Sequence, residues 1–286
     1  MTTRKLTAAL AAGLLALPAI VKAEELPLDV MTFNIRFGTA YDRENNWPNR
    51  QDMVVRMLRK YDADIVGTQE IQDFQADHIT RWMPEYRWFG AHRGDHMEER
   101  CAILYKWREY MPLETGTFWL SETPDVYASQ SWDAALPRIA TWARFVHMET
   151  ETEFYVYNTH FDHVGRQARV HSMDLILEHI DENARDRPVI LLGDFNVTAE
   201  QSEVYDAVAE TGFEDLWLTA AEREGPTATW NAFRDLDPES DRRIDWIMTR
   251  GPFEADYIET IIYSEDGRWP SDHFPVFARV RLDISE

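Results

Sequence analysis

Five strand-like apolar runs in this 286-residue chain carry a polar cluster at one end, and that repeated placement is its tightest constraint on folding. The clusters are FNIR at Asn34, TQE at Glu70, NTHFDH at His160, GDFN at Asp194 and SDH at Asp272. A sixth pattern, RRID, sets Asp245 within a strand-like run. Apolar runs this short read as buried strands, so the polar residues fall where strands give way to loops. Besides the runs that end at Asn34 and Glu70, strands are expected at 101–106, 116–120, 139–146, 154–158, 188–192, 243–248, 257–263 and 273–281. Helical spacing is confined to a few segments. One, capped by Asn49, carries Met53, Val54, Met57 and Leu58 to a stop near Tyr61; the others cover 74–82 and 166–180. Many strands with few helices predict two packed sheets rather than one doubly wound parallel sheet.

Residues 1–23 place Arg4 and Lys5 ahead of an apolar stretch from Leu6 to Val21 and a small residue at Ala23, the layout of a cleaved export signal. The alternative is a membrane anchor, but the stretch falls short of the roughly 18 residues a spanning helix needs, and Pro18 interrupts it. Cleavage before Glu24 leaves 263 residues, expected to form one domain, 24–286, in a periplasmic or secreted protein without a transmembrane segment. Cys101 is the single cysteine, so no intrachain disulfide forms; core burial and bound metal must stabilise the fold. Loss of Arg4, Lys5 and Lys22 takes the formal net charge from −22 to −25. Such a chain repels long polyanions, which favours a small or membrane-held phosphorylated substrate over bulk nucleic acid.

The polar clusters offer hard oxygen donors, two imidazoles and several amides. Glu70 is the first candidate metal ligand, and carboxylate oxygen suits magnesium or manganese. Asn34 is placed to position that carboxylate or to coordinate weakly. In GDFN, Asp194 and Asn196 stand two positions apart, so an aspartate that orients or deprotonates water sits beside an amide that binds phosphate. His160 and His273 are candidate donors to phosphoryl oxygen, with Asp245 the leading partner of His273. Each cluster alone has a plainer reading: a solvated carboxylate, an Asx turn or a structural histidine. The His160 and His163 pair lacks the cysteines or HExxH arrangement of a zinc site, and neither a nucleophile elbow nor a Walker loop is present. Water is therefore the expected nucleophile.

Taken in order, these motifs resemble the endonuclease/exonuclease/phosphatase superfamily over nearly the whole mature chain. The resemblance implies an α/β fold, a four-layer α-β-β-α sandwich with two central, mostly antiparallel sheets and loops meeting at one edge. It implies a metal held by Glu70 with Asn34 and Asp272, and catalysis by His160, Asp194, Asn196, Asp245 and His273. Glu99 is the implied carboxylate partner of His160, and Arg138 a substrate-binding residue. The single cysteine, and His96 and Met97 near the place of an expected tyrosine, depart from the secreted nucleases of that group.

The expected reaction is divalent-metal-dependent hydrolysis of a phosphoester by in-line attack of water, with Mg2+ or Mn2+ as cofactor. The expected substrate is a small phosphorylated metabolite, sugar phosphate or lipid headgroup, and the expected state a monomer. The alternatives are a secreted or periplasmic nuclease and a noncatalytic phosphate-binding protein. A basic groove of Arg138, Arg166, Arg169, Arg242 and Arg243 would favour a polymeric or lipid phosphate; a narrow pocket would favour a small one.

Overall fold

The protein is described by a computed structural model covering residues 24–94, 99–234, 237 and 239–285; the expected export signal lies outside them. The chain begins with β1 (Glu25–Asn34), α1 (Trp47–Tyr61), β2 (Ile65–Ile71), α2 (Asp73–Trp82), β3 (Tyr86–Phe89) and β4 (Arg100–Lys106). It continues through β5 (Tyr110–Trp119), β6 (Ile139–His147), β7 (Glu153–His160), α3 (Arg166–Asn183) and β8 (Val189–Asp194). It ends with α4 (Glu203–Ala209), β9 (Glu214–Asp215), α5 (Leu216–Thr219), β10 (Glu222–Glu224), β11 (Asp245–Arg250), β12 (Phe253–Thr260) and β13 (Val276–Asp283).

The strands form two mixed sheets, one of seven strands in the order β10-β12-β13-β1-β2-β4-β3 and one of six in the order β5-β6-β7-β8-β11-β9. Strand periodicity divides the side chains between layers. Leu28, Val30 and Ile65 from the first sheet meet Phe154, Val156, Ile190, Leu192 and Ile247 from the second in a central core. Met31, Phe33 and Val66, on the opposite face, pack under Val54, Met57 and Leu58 of α1 and Ile79 of α2. Tyr155, Tyr157 and Leu191 pack under Met173, Ile176 and Ile180 of α3. Helix, sheet, sheet and helix thus stack as the expected four layers, and most strand pairings are antiparallel.

The three parallel pairings include β1 with β2 and β7 with β8. These two set the site, because parallel neighbours end at the same edge. Asn34 closes β1 and Glu70 stands one residue before the end of β2, while His160 and Asp194 close β7 and β8 in register with one another. β11 runs antiparallel to β8, so its first residue, Asp245, lies opposite Asp194.

Several boundaries differ from the sequence reading. α1 starts after Asn46, with Pro48 in its first turn where its missing N–H costs nothing; Asn49 lies inside the helix and donates to the Glu44 carbonyl. The last strand starts at Val276, which leaves Asp272 and His273 in the loop before it. β3, α4, β9, α5 and β10 are additional, all of them short and some fully polar, so they carry no period to read. Among the described residues, no helix is long and apolar enough to cross a membrane.

Candidate active site

Two backbone features aim the edge residues. Glu70 has φ of 60° and lies in a register shift between Thr68 and Ile71 where β2 pairs with β4. An irregularity of this kind re-aims a side chain at a sheet edge, and a non-glycine residue is held in the left-handed region only where its surroundings fix it. Gly193 has φ of 154°, and a Cβ there would meet the Thr159 carbonyl oxygen at 2.2 Å. Glycine therefore lets β8 approach β7 closely enough to set Asp194 beside His160.

Asp194 is the hub of the assembled cluster. Its Oδ2 accepts from Asn34 Nδ2 at 2.9 Å and lies 3.4 Å from His160 Nε2 and 3.8 Å from His273 Nε2. Its Oδ1 accepts from the Asn196 backbone N–H at 2.9 Å. Behind it, His273 Nδ1 and Asp245 Oδ2 are 3.0 Å apart, both residues buried. Asn196 turns back through φ of 52° and donates its amide N–H to the Phe161 carbonyl at 3.0 Å.

Burial sets the charges of this cluster. It lifts Asp194 to about 7, with the Asp245 carboxylate adding to the effect and His273 opposing it. Burial alone would strip the proton from His273, but the carboxylates of Asp245 and Asp194 override it and raise the imidazole to about 10. His160 goes the other way: burial first, then Arg138 and Arg93, hold it well below the usual histidine range, and it is neutral.

Glu70 and Asp272 form the neighbouring wall. Glu70 Oε2 accepts from the Phe37 N–H at 3.1 Å. Arg36 bridges the acids, 3.8 Å from Glu70 and 4.0 Å from Asp272, while forking onto Asp42 with two bonds of 3.1 Å. Burial raises Asp272 above the ordinary carboxylate range. Two acids that share the Arg36 guanidinium at a sheet edge offer hard oxygen donors that fit a divalent ion. Asn34 presents its amide nitrogen to Glu70 Oε1 at 3.3 Å and to Asp194, and its oxygen accepts from the Arg36 N–H at 3.1 Å. These bonds tie Asn34 to both carboxylates, in keeping with the positioning role that is one of the two expected of it. Asp194, Asp245 and His273 also have metal-binding spacing, with ligand atoms within 4.8 Å of one another. There, however, the imidazole and carboxylate already share a hydrogen bond, so that group is better suited to holding a proton.

Glu70, His160, Asp194, Asn196, Asp272 and His273 open into one cavity of about 590 Å³, also lined by Arg36, Arg93, Glu99, Leu136, Arg138, Trp230 and Arg242. Glu99 is not the partner of His160. Its Oε1 accepts from Arg93 Nη2 at 2.9 Å, and the Arg93 backbone N–H donates to the Glu99 carbonyl at 3.0 Å, which holds the two residues side by side. Arg138 reaches the cavity as expected, its Nη2 3.1 Å from His163 Nδ1 and its Nε 3.5 Å from Asp162 Oδ2. The five-arginine groove does not form. Arg166 pairs with Glu203, Arg169 donates to the Asp162 carbonyl, and Arg243 is buried on Asp215, leaving Arg138 and Arg242 in the cavity.

Sequence reasoning passed over Arg36, Arg93, Asp162 and Gln69. Arg36 and Gln69 stand inside the FNIR and TQE motifs, and Asp162 inside THFDH, so motif position was their available signal. Gln69 donates to Asn158 Oδ1 at 2.7 Å, and Asn158 donates to the Thr68 and Ala102 carbonyls, a buried polar tie between the two sheets. Asp162 accepts from the N–H groups of Leu136, Val164 and Gly165 and so joins the two loops that carry Arg138 and His163.

The sequence and the fold are similar to those of known proteins. An endonuclease/exonuclease/phosphatase crystal structure from Bacteroides vulgatus is 34% identical, with a TM-score of 0.85, over 90% of this chain and 99% of that one. A mannosyl-6-phosphatase from Bacteroides thetaiotaomicron is 36% identical, with a TM-score of 0.81, over 88% of this chain and 99% of its own. An uncharacterized protein of Acanthamoeba polyphaga mimivirus is 26% identical over 204 residues, 67% of this chain and 75% of that protein. The sequence pattern of the Endonuclease/Exonuclease/phosphatase family matches residues 31–273, from the second half of β1 to the histidine of the central cluster, and the chain belongs to that family.

Proposed function

We propose that this phosphoesterase hydrolyses a small phosphorylated sugar, with a divalent cation and with water as the nucleophile. The observation that carries the reading is the convergence of Asp194, Asn196, His160 and His273 at the floor of a cavity whose volume suits a small ligand. Likeness to a mannosyl-6-phosphatase at 36% identity favours a sugar phosphate among the small substrates, and the formal net charge of −22 disfavours a nucleic-acid polymer.

In this reading Asp194 orients the attacking water and takes its proton. The oxygen of that water forms the new bond to phosphorus while the ester oxygen on the opposite side departs. Asn196 and His160 hold the phosphoryl oxygens. His273, kept protonated by Asp245, stabilises the developing charge or returns a proton to the leaving alcohol, so the products are a free hydroxyl and inorganic phosphate. Members of the family are generally divalent-metal dependent; a magnesium ion, with manganese as the alternative, would be held by Glu70 and Asp272 and would offset negative charge on phosphoryl oxygen.

The test is product-resolved hydrolysis by the purified protein, with magnesium and manganese supplied separately, on hexose phosphates, phosphodiesters, DNA and RNA. Metal-dependent release of phosphate from a hexose phosphate, with nucleic acid intact at physiological salt, is expected. Cleavage of DNA or RNA under those conditions would overturn the substrate assignment. The reading includes export, as expected from residues 1–23, and a mature N-terminus at Glu24 on sequencing the secreted or periplasmic protein is its check.

A further inference from the structure

Two buried guanidinium groups in the cavity have donors that none of the described residues accepts. Arg93 uses Nη2 on Glu99, and its Nε and Nη1 are buried without a hydrogen-bond partner. Arg138 uses Nε and Nη2 on Asp162 and His163, and its Nη1 is likewise unpartnered. The two residues are only 6% and 4% exposed, and both line the cavity that holds His160, Asp194 and Asn196. Leaving charged donors unpaired in a buried place is costly, and donors of this kind persist where a ligand completes them. Asp162 lies against Arg138, and Glu99 offsets the charge of Arg93 only in part, since burial raises it to about 7. A guanidinium fork matches the oxygens of a phosphoryl group better than it matches a sugar hydroxyl.

We propose that Arg93 and Arg138 form a terminal-phosphate subsite that selects phosphomonoester dianions over phosphodiesters. This rests on the phosphoesterase reading above and narrows it. A monoester presents three acceptor oxygens and a charge of about −1.5 to −2 at neutral pH. A diester presents one negative charge and replaces one of those oxygens with a second ester group. Asn196, His160 and His273 hold oxygens that both kinds of substrate possess. The remaining oxygen distinguishes the two, and in this proposal the arginine pair receives it. A diester would bring a bulky, weakly accepting group against Leu136 and the two arginines, and their donors would stay unpaired.

The experiment compares wild type, Arg93→Met and the double variant Arg93→Met with Glu99→Gln, which removes the carboxylate that the first change would strand. Hydrolysis of p-nitrophenyl phosphate and of bis(p-nitrophenyl) phosphate is measured, together with calorimetric binding of inorganic phosphate in the presence of magnesium. Wild type is expected to favour the monoester. The double variant is expected to lower the monoester-to-diester ratio of kcat/KM by at least tenfold and to weaken phosphate binding by a similar factor. An unchanged ratio with unchanged phosphate binding in a folded double variant would overturn the subsite. Should wild type hydrolyse neither ester, the phosphoesterase reading fails by itself; phosphate binding that depends on Arg93 would still support the subsite, and binding that ignores Arg93 would reject it.

Discussion

Asp194 is placed to accept a proton because a buried carboxylate flanked by Asp245 binds one more tightly than a solvated carboxylate does, an effect that the Asn34 hydrogen bond only partly opposes. Asp194→Asn keeps the shape and removes that capacity, so kcat should fall by roughly 10²–10⁴-fold while the thermal midpoint stays within a few degrees. Turnover near wild type in a folded variant would remove Asp194 from its proposed role. The pH profile follows from the same residues. Asp194 must be ionised to work, so the rate falls as pH drops through about 7, and a bound cation, which favours the charged carboxylate, moves that limb lower. His273 must keep its proton, so the rate falls again as pH rises through about 10. A kcat/KM profile with both limbs is the expected result, and replacement of His273 by Gln should remove the alkaline one.

At the scale of elements, the two central parallel pairings carry the site, and one uncommon residue shapes the chain beside each of them. A Cβ at position 193 would meet the Thr159 carbonyl at 2.2 Å, so Gly193→Ala must push β7 and β8 apart where His160 and Asp194 end them. Stability should drop by about 1–3 kcal/mol, as overpacking and strain of this kind usually cost, with a larger loss of activity; a denaturant titration beside an activity assay checks both. On the other sheet Arg50, 1% exposed, reaches from α1 to the carbonyls of Ile35, Arg36 and Pro270 at 2.6, 2.7 and 2.9 Å. It thereby ties the loop after β1 to the loop that carries Asp272. Arg50→Met leaves those carbonyls without their donor, at about 1–3 kcal/mol for each group that stays buried. Weaker magnesium binding by calorimetry, beyond what the loss of stability explains, is the expected sign that this tie sets the spacing of Glu70 and Asp272.

Over the whole molecule, the sequence made the layers and the edge cluster legible because both rest on local pattern. Leu28 and Val30 alternate with Met31 and Phe33 between the central core and the helix-covered face, and a period of two states that directly. Asn34, Glu70, His160 and Asp194 each follow such a run, so their arrival at one edge needed only the right pairing of strands. What could not be read was pairing between side chains distant in sequence. Glu99 looked like a partner for His160, yet its carboxylate bonds Arg93. Arg50 and Arg93 carry nothing in their own segments to mark them as buried, since an arginine beside a loop is ordinarily a solvated charge. The short polar strand β10 likewise exists through its pairing with β12 rather than through any preference of its own. The central claim, water attacking phosphorus in this cavity, is tested most directly by hydrolysing a hexose phosphate in 18O-enriched water with magnesium and locating the label by mass spectrometry. The account predicts one labelled oxygen in the inorganic phosphate and none in the sugar, with no release after chelation. Label in the sugar hydroxyl, or undiminished release without a divalent cation, would contradict it.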